Sequence, residues 1–496
     1  MGRGHGGSAA DPARRVLVVG GGVAGLLCAY DLAVGGAEVT VVEAEEACGG
    51  ALASRDRGGL PTDAGAEAFA VQSEAVARLI DELGLAERLV TPNPAGAWLQ
   101  LPELAAPLPA TGLLGIPGDP TADDVVALLG EAAAARAAED LVSSPEQWRE
   151  RWEAVDAGQD RISLAELVAD RMGPDVVDRL VTPIVSGVHS AAADDLDVEA
   201  VAPGLVSLML REGSLARAVA ARRAQAPAGS AVRSLRGGMH GVIGALLDRL
   251  NQLGVSVRTG TFVRSLTDVT GADSEVDDIV LAVDGPEAAR LAGLSWTDGS
   301  VGGSPDRPMN DPEEALGPGV ALVTMVLESP ALDSAPRGTG MLVSPAVESV
   351  AAKAMTHVTA KWAWAAEAFG PSRHLVRLSY GRVGDSATGR GERTGARSTD
   401  EELIAAASED VAVLFGLPGL GETVTHADVV RWRRAVPLSG PEHAGRAARL
   451  RSRLAARRGP HGERLHAVGT WFAGTGLSRV VPDARTTAAR MLAGEA

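Results

Sequence analysis

The 496-residue sequence predicts an α/β fold, α+β overall. A discontinuous dinucleotide-binding domain is expected to carry a mixed-sheet domain and a helical insertion. Three observations predict it. A buried-type strand, a glycine-rich turn, a helix and a second strand follow one another within about 30 residues, as in a βαβ unit. Stretches of strand and loop lie on both sides of a helical stretch at 121–225. A glycine-rich strand–turn–helix closes the chain at 464–493. The net charge of −18 excludes a nucleic-acid surface, because phosphate binding needs basic excess. Two cysteines, Cys28 and Cys48, can build neither a disulfide framework nor a structural zinc site. Scattered histidines show no metal-ligand spacing, so no metal is expected. A reducing cytoplasm is the expected compartment.

Taken in order, residues 1–13 read as a tail without the apolar core of a signal peptide. Val16–Val19 is a continuous apolar run, the signature of a parallel strand covered on both faces. A helix from Val23 to Val34 and a strand at Val39–Val42 follow. Apolar Val76, Ile80, Leu83 and Leu85 predict a helix over 73–89. Pro107–Pro120 must be loop. Residues 121–225 read as mostly helical: Asp123–Asp140 is Ala-rich, Leu205–Arg223 is amphipathic, and Ser163 with Glu166 gives a capping pattern. Strands are expected at Val255–Arg258, Phe262–Leu266, Ile279–Ala282, Val320–Leu327 and Val424–Trp432. Loops are expected at 297–318 and 384–400, and a helix at 401–415. The dinucleotide-binding domain is thus assembled from 14–72, 226–296 and 426–496. The mixed-sheet domain takes 73–108 and 297–425, and the helical insertion 109–225. No window reaches the roughly 18 clean apolar residues of a membrane span; peripheral contact stays open.

Gly20-Gly21-Gly22-Val23-Ala24-Gly25 fits GxGxxG. Gly20 permits the tight turn, Gly22 lets backbone approach a pyrophosphate, and Gly25 allows close helix–strand packing. The helix N-terminus at Val23 and Ala24 then stabilises phosphate charge. The motif follows a strand, opens a helix, and precedes a strand ending at Glu43. That carboxylate stands where a ribose-hydroxyl acceptor belongs, and favours an unphosphorylated ribose.

Gly49-Gly50 follows Glu43 by six residues, and in this the chain resembles the flavin amine oxidase superfamily, with Ala51 where the family often has Arg or Lys. The closing Gly469–Leu477 and Val480–Arg490 resemble the family's last turn and helix. Gly254–Arg264 resembles its adenine-contacting strand pair. Further blocks resemble the FAD-dependent protoporphyrinogen/coproporphyrinogen III oxidase family, actinobacterial type. Ala64–Phe69 stands for its "GxDxF", with Glu67 replacing Asp. Pro183–His189 stands for "PxxxGVY", with His189 replacing Tyr. Leu235–Met239 matches "LxGGM", and Lys361-Trp362 with Arg377–Arg382 stand for "KWP…LRxxxGR". Pro437–His443 departs from "PQYxxGH".

The resemblance implies a Rossmann-like FAD-binding domain. Gly20, Gly22, Val23, Ala24, Gly25, Glu43, Gly49, Gly50, Val263, Gly474 and Val480 are its expected FAD contacts. It implies six-electron oxidation of a porphyrinogen by FAD, with O2 reduced to H2O2, in heme biosynthesis. Coproporphyrinogen III is the expected substrate and protoporphyrinogen IX the alternative. Its carboxylates need cationic partners. Lys361, Arg377, Arg382 and His189 are the substrate-contact candidates, with the arginines between Arg211 and Arg236 as further cationic candidates, and no catalytic residue is nominated. Hand-over of product to a ferrochelatase and contact with the inner membrane face belong to the same expectation; oligomeric state is left open. An amine oxidase or carotene desaturase remains a second reading, disfavoured by a tyrosine count of 2. A non-catalytic FAD-fold escort is a third, disfavoured by the intact fingerprint. Lysines are equally rare: only Lys353 and Lys361 occur, eight residues apart, among 46 basic residues. A compact ammonium is expected where a guanidinium fork would not fit.

Overall fold

The computed structural model describes residues 13–71, 73–110, 112–157, 160–189, 192–225, 232–270, 276–295, 319–381, 395–432 and 441–495. The expected loop at 297–318, most of that at 384–400, and 437–440 of the departing block lie outside them. The strands are β1 (Arg15–Val19), β2 (Glu38–Val42), β3 (Ser54–Arg57), β4 (Leu60–Asp63), β5 (Phe69–Ala70), β6 (Leu89–Val90), β7 (Trp98–Gln100), β8 (Ala105–Pro107) and β9 (Val232–Leu235). After them come β10 (Ser256–Arg258), β11 (Asp278–Leu281), β12 (Val320–Glu328), β13 (Gly340–Val343), β14 (Ala354–His357), β15 (Arg373–Tyr380), β16 (Val424–Trp432) and β17 (Arg464–Ala467).

Five of these form a parallel sheet in the order β10-β2-β1-β11-β17. Val16 and Val18 of β1 face a layer built by helices Val23–Val34, Gly241–Gln252 and Leu477–Leu492. Leu17 and Val19 face the opposite layer, with helices Gly285–Leu291 and Pro441–Ala455. Burial on both faces is why β1 is apolar at successive positions. The expected α/β fold with a discontinuous nucleotide-binding sheet is therefore present.

The second sheet has seven strands, β16-β12-β15-β14-β13-β7-β8. It is mixed, because β13 pairs with β7 in parallel and its other pairs are antiparallel. Val323, Met325 and Leu327 of β12 face the helix Asp400–Phe415, while Thr324 and Val326 face the other way. The 112–225 stretch is helical around its own apolar core.

Several elements differ from expectation. The 73–89 helix stops at Glu82, and Leu89–Val90 pairs with β9 instead. Asp123–Asp140 is cut at Gly130 (φ 82°) and Leu205–Arg223 at Gly213 (φ 75°). Gly213 is left-handed helical and Gly130 extended at positive φ, and glycine takes either at little cost, ending the helix. Phe262–Leu266 is not a strand: Ser265 caps a short 3-10 turn that begins at Leu266, and its amide donates to the Asp268 carboxylate (3.0 Å). Two segments pack across the expected borders. Helix Glu74–Glu82 buries Val76, Leu79 and Ile80 in the core beneath the parallel sheet, and β16 stays in the mixed sheet through Trp432.

Candidate active site

β1 delivers the chain into the first glycine turn, and the Gly20 amide bonds Val42 O (2.8 Å) to hold the turn against β2. A Cβ on Gly25 would lie 2.1 Å from Gly20 O, and one on Gly20 2.5 Å from Ala282 O. Neither position can carry a side chain while the helix stays this close to the strand. The Glu43 carboxylate accepts the Gly21 amide (2.6 Å) and the Glu45 amide (2.9 Å). It therefore closes the turn from the side where the motif expects a ribose. A Cβ on Gly21 would meet Cys48 Sγ at 2.6 Å, so the thiol fills the space the glycine leaves. Burial lifts that thiol to about 11.

The Gly49-Gly50 turn is laid beside the first. The Gly49 amide donates to Gly21 O (2.9 Å), and Gly22 and Gly49 form a parallel bridge. Beside Gly22 there is open space: a Cβ there would find nothing nearer than Gly50 Cα at 4.0 Å. Helices Val23–Val34 and Leu477–Leu492 pack together. Neither has a side-chain cap or an acidic residue in its first turn. The first amides of a helix lack intrahelical acceptors, so both ends offer donors and positive dipole charge. Gly474 and Val480 lie at the second of these ends, where the Val480 amide bonds Gly476 O (3.1 Å). Val263 follows Thr261 past Glu43, and its amide has no acceptor among the described residues. Two uncapped helix ends, a carboxylate and an open glycine cradle fit a flavin dinucleotide.

The same turns reach the mixed sheet through the 63–67 loop. Ala53 O accepts the Ala64 amide and Ala51 O the Ala66 amide (both 2.8 Å). From β15, the Arg377 guanidinium donates to Gly65 O (2.8 Å) and to Asp63 O. From β16, the Trp432 indole donates to Ala64 O (3.3 Å). A Cβ on Gly65 would strike Ala51 O at 2.4 Å. The Asp63 carboxylate accepts the Met239 and His240 amides (2.9 Å each) and meets His240 Nδ1 at 3.0 Å. That makes His240 a structural histidine.

Side chains in register complete this face of the sheet: Thr324 lies between Asp428 and Arg377. Asp428 grips Arg57 through both oxygens (2.5 and 3.0 Å), and Arg57 also donates to Thr62 Oγ1 (2.7 Å). Arg57 is 0% exposed. Burial pulls its proton affinity down and Asp428 opposes that. At the loop's end, Lys361 Nζ bonds Glu67 Oε1 (2.5 Å), and Arg377 stands 3.9 Å from Oε2. Glu67 Oε2, Arg377 Nε and Thr324 Oγ1 are buried without a hydrogen-bond partner among the described residues.

The four substrate-contact candidates fare differently. Arg377 is 7% exposed and spends two nitrogens on main-chain carbonyls, so it sits behind the loop rather than in an open cleft. Lys361 keeps its side chain 20% exposed and is held by Glu67. Arg382 and the side chain of His189 lie outside the described residues. Lys353 is buried and donates to Gly381 O (3.0 Å), which is a structural use. The Arg57–Asp428 pair went unnoticed in the sequence, where its members are separated by 371 residues. Glu67 was visible only as a departure from a motif.

The model of the flavin containing amine oxidoreductases matches residues 23–492. The chain belongs to that family, and is an FAD-dependent oxidoreductase. It is 32% identical over 450 residues to a protein of Mycobacterium tuberculosis (strain H37Rv) named coproporphyrinogen III oxidase, covering 89% of this chain and 90% of the relative. A protein of the same name from Propionibacterium freudenreichii is 28% identical over 545 residues, 95% and 90% of the two chains. A solved structure from Exiguobacterium sp. 255-15 superposes with a TM-score of 0.77 at 24% identity, over 97% and 99% of the two chains.

Proposed function

We propose that this protein oxidises coproporphyrinogen III to coproporphyrin III in heme biosynthesis, with O2 as final acceptor and H2O2 as coproduct. The observation that carries the reading is the nearly end-to-end 32% identity to a mycobacterial coproporphyrinogen III oxidase. The site geometry supports it. Gly20, Gly22, Val23, Ala24 and Gly25 would hold the pyrophosphate of FAD, Glu43 its ribose, and the Val263 amide its adenine. Gly49, Gly50, Gly474 and Val480 would line the flavin end. Bound FAD supplies two-electron acceptance and reoxidation by O2. The chain's own task is to orient the substrate and exclude water. Arg377 fixes the 63–67 loop, so Glu67 and Lys361 are presented at a constant depth. Lys361 and Arg382 remain the proposed cationic contacts to the substrate carboxylates, and His189 a proposed substrate contact.

No helix among the described residues is long and apolar enough to cross a membrane. Both cysteines are free and buried, which suits a reducing cytoplasm. The reading makes an iron-inserting ferrochelatase the expected recipient of the product. In air, purified yellow protein given coproporphyrinogen III should form fluorescent coproporphyrin together with three H2O2 per porphyrin. Flavin-loaded protein that forms no porphyrin above the uncatalysed rate would refute the reading.

A further inference from the structure

We infer that an open groove of about 570 Å3 between β6, β9 and the helix Ala363–Phe369 is a second binding site, taking the carboxylates of a tetrapyrrole outside the glycine turns. This deepens the proposed function and rests on it.

The groove is lined by Arg233, Arg236, Thr91 and Trp364, with Leu89 and Val90 among its apolar walls. No carboxylate lines it, although the chain holds 64 acidic residues against 46 basic ones. Arg233 has neither a side-chain hydrogen bond nor an ion pair among the described residues. Arg236 is anchored by its main chain. Its amide donates to Arg88 O (2.7 Å), and its carbonyl accepts two bonds from the Arg88 guanidinium (3.1 and 2.8 Å). Its side chain meets Glu367 at 2.8 Å, with both side chains about 60% exposed. Such a pair is screened by water and readily exchanged for another carboxylate. Two guanidinium forks beside an aromatic and aliphatic wall suit a flat apolar body that carries carboxylates.

The groove also adjoins the site already described. Phe69 pairs with Arg233, and Ser234 Oγ donates to Glu67 O (2.7 Å). Trp364 follows Lys361 by three residues, and the Asn93 amide bonds Lys361 O (2.8 Å). A tetrapyrrole in the groove would thus lie on the outer side of the Lys361–Glu67 pair. Porphyrinogen substrate and porphyrin product share the recognised chemistry, and the experiment separates them.

Holoenzyme is titrated with coproporphyrin III, following the change in porphyrin absorbance, and KM is measured for coproporphyrinogen III. Arg233→Ala with Arg236→Ala, and separately Ala363→Trp to fill the groove, should each weaken coproporphyrin binding at least about tenfold. The tetramethyl ester of coproporphyrin, which lacks the carboxylates, should bind wild type and the double variant alike. Flavin content and Tm serve as folding controls. A KM that rises in parallel assigns the groove to substrate as well; a rise in product Kd alone assigns it to product. Unchanged Kd and KM in both variants overturn the inference. Failure of wild type to form porphyrin overturns the proposed reaction instead, and the coproporphyrin titration still reads the groove.

Discussion

At the glycine turns the contacts are made by main chain. Gly25 approaches Gly20, and Gly50 approaches Gly22, because they have no side chains, and one carboxylate, Glu43, closes the turn. On the face of the mixed sheet the contacts are made by side chains: Arg57 on Asp428, Arg377 on the 63–67 carbonyls, Lys361 on Glu67. The first region keeps its shape through steric necessity. The second keeps it through buried charge, which is stable only while every partner is present. A cofactor common to a whole family suits the first kind of site, and a particular substrate suits the second.

The sharpest way to break this contrast is Asp428→Leu. It leaves the Arg57 guanidinium buried without its carboxylate, and should cost about 3–5 kcal/mol in urea unfolding. Arg57→Met combined with Asp428→Leu should recover most of that loss. If the double variant is no more stable than the single one, the charge pair is not what holds this region. Arg377→Ala removes two charge-assisted bonds to carbonyls and should cost about 3 kcal/mol. It should also loosen bound flavin, measured as flavin retained on gel filtration, because the 63–67 loop is stitched to Ala51. Arg377→Lys should restore part of both.

A pH effect comes third. His357 is buried against His374 (3.1 Å), and burial lowers its pKa to about 3. The unfolded chain takes up that proton near the ordinary value of 6.5. Stability from this group is therefore full above pH 6.5 and falls as the pH drops toward 3. The loss reaches about 2 kcal/mol by pH 5. His357→Gln should flatten the dependence of Tm on pH over that window; an unchanged slope would assign the acid sensitivity elsewhere. The smallest effect is expected at the main-chain site. Glu43→Ala should weaken flavin retention about tenfold and leave the mixed sheet unaffected. Full flavin occupancy in that variant would remove Glu43 from the proposed ribose contact.

The contrast also explains what the sequence made legible. β1, the glycine turn and Glu43 lie within one short stretch, and each is required by local geometry, so a single sequence displays them. The helix breaks at Gly130 and Gly213 are equally local, yet a lone glycine inside a helical stretch does not by itself mark an end. Arg57–Asp428 and Arg377–Gly65 join residues more than 300 positions apart. No local pattern marks them, and an arginine bound for a carbonyl looks in sequence like one bound for a substrate. That is why Arg377 was expected in the cleft and is found behind the loop. The arginines between Arg211 and Arg236 stand out in the sequence as cationic candidates, but the groove at Arg233 and Arg236 does not, because it forms where β6 and β9 pair Leu89 with Leu235 and Val90 with Ser234 across more than 140 positions.

The most direct test of the whole account is anaerobic mixing of the flavin-loaded protein with coproporphyrinogen III and, separately, with protoporphyrinogen IX. The account predicts bleaching of the yellow flavin colour by the four-carboxylate substrate, and slower or no bleaching by the two-carboxylate one. Flavin that stays oxidised with both, or that is bleached only by protoporphyrinogen IX, would contradict it.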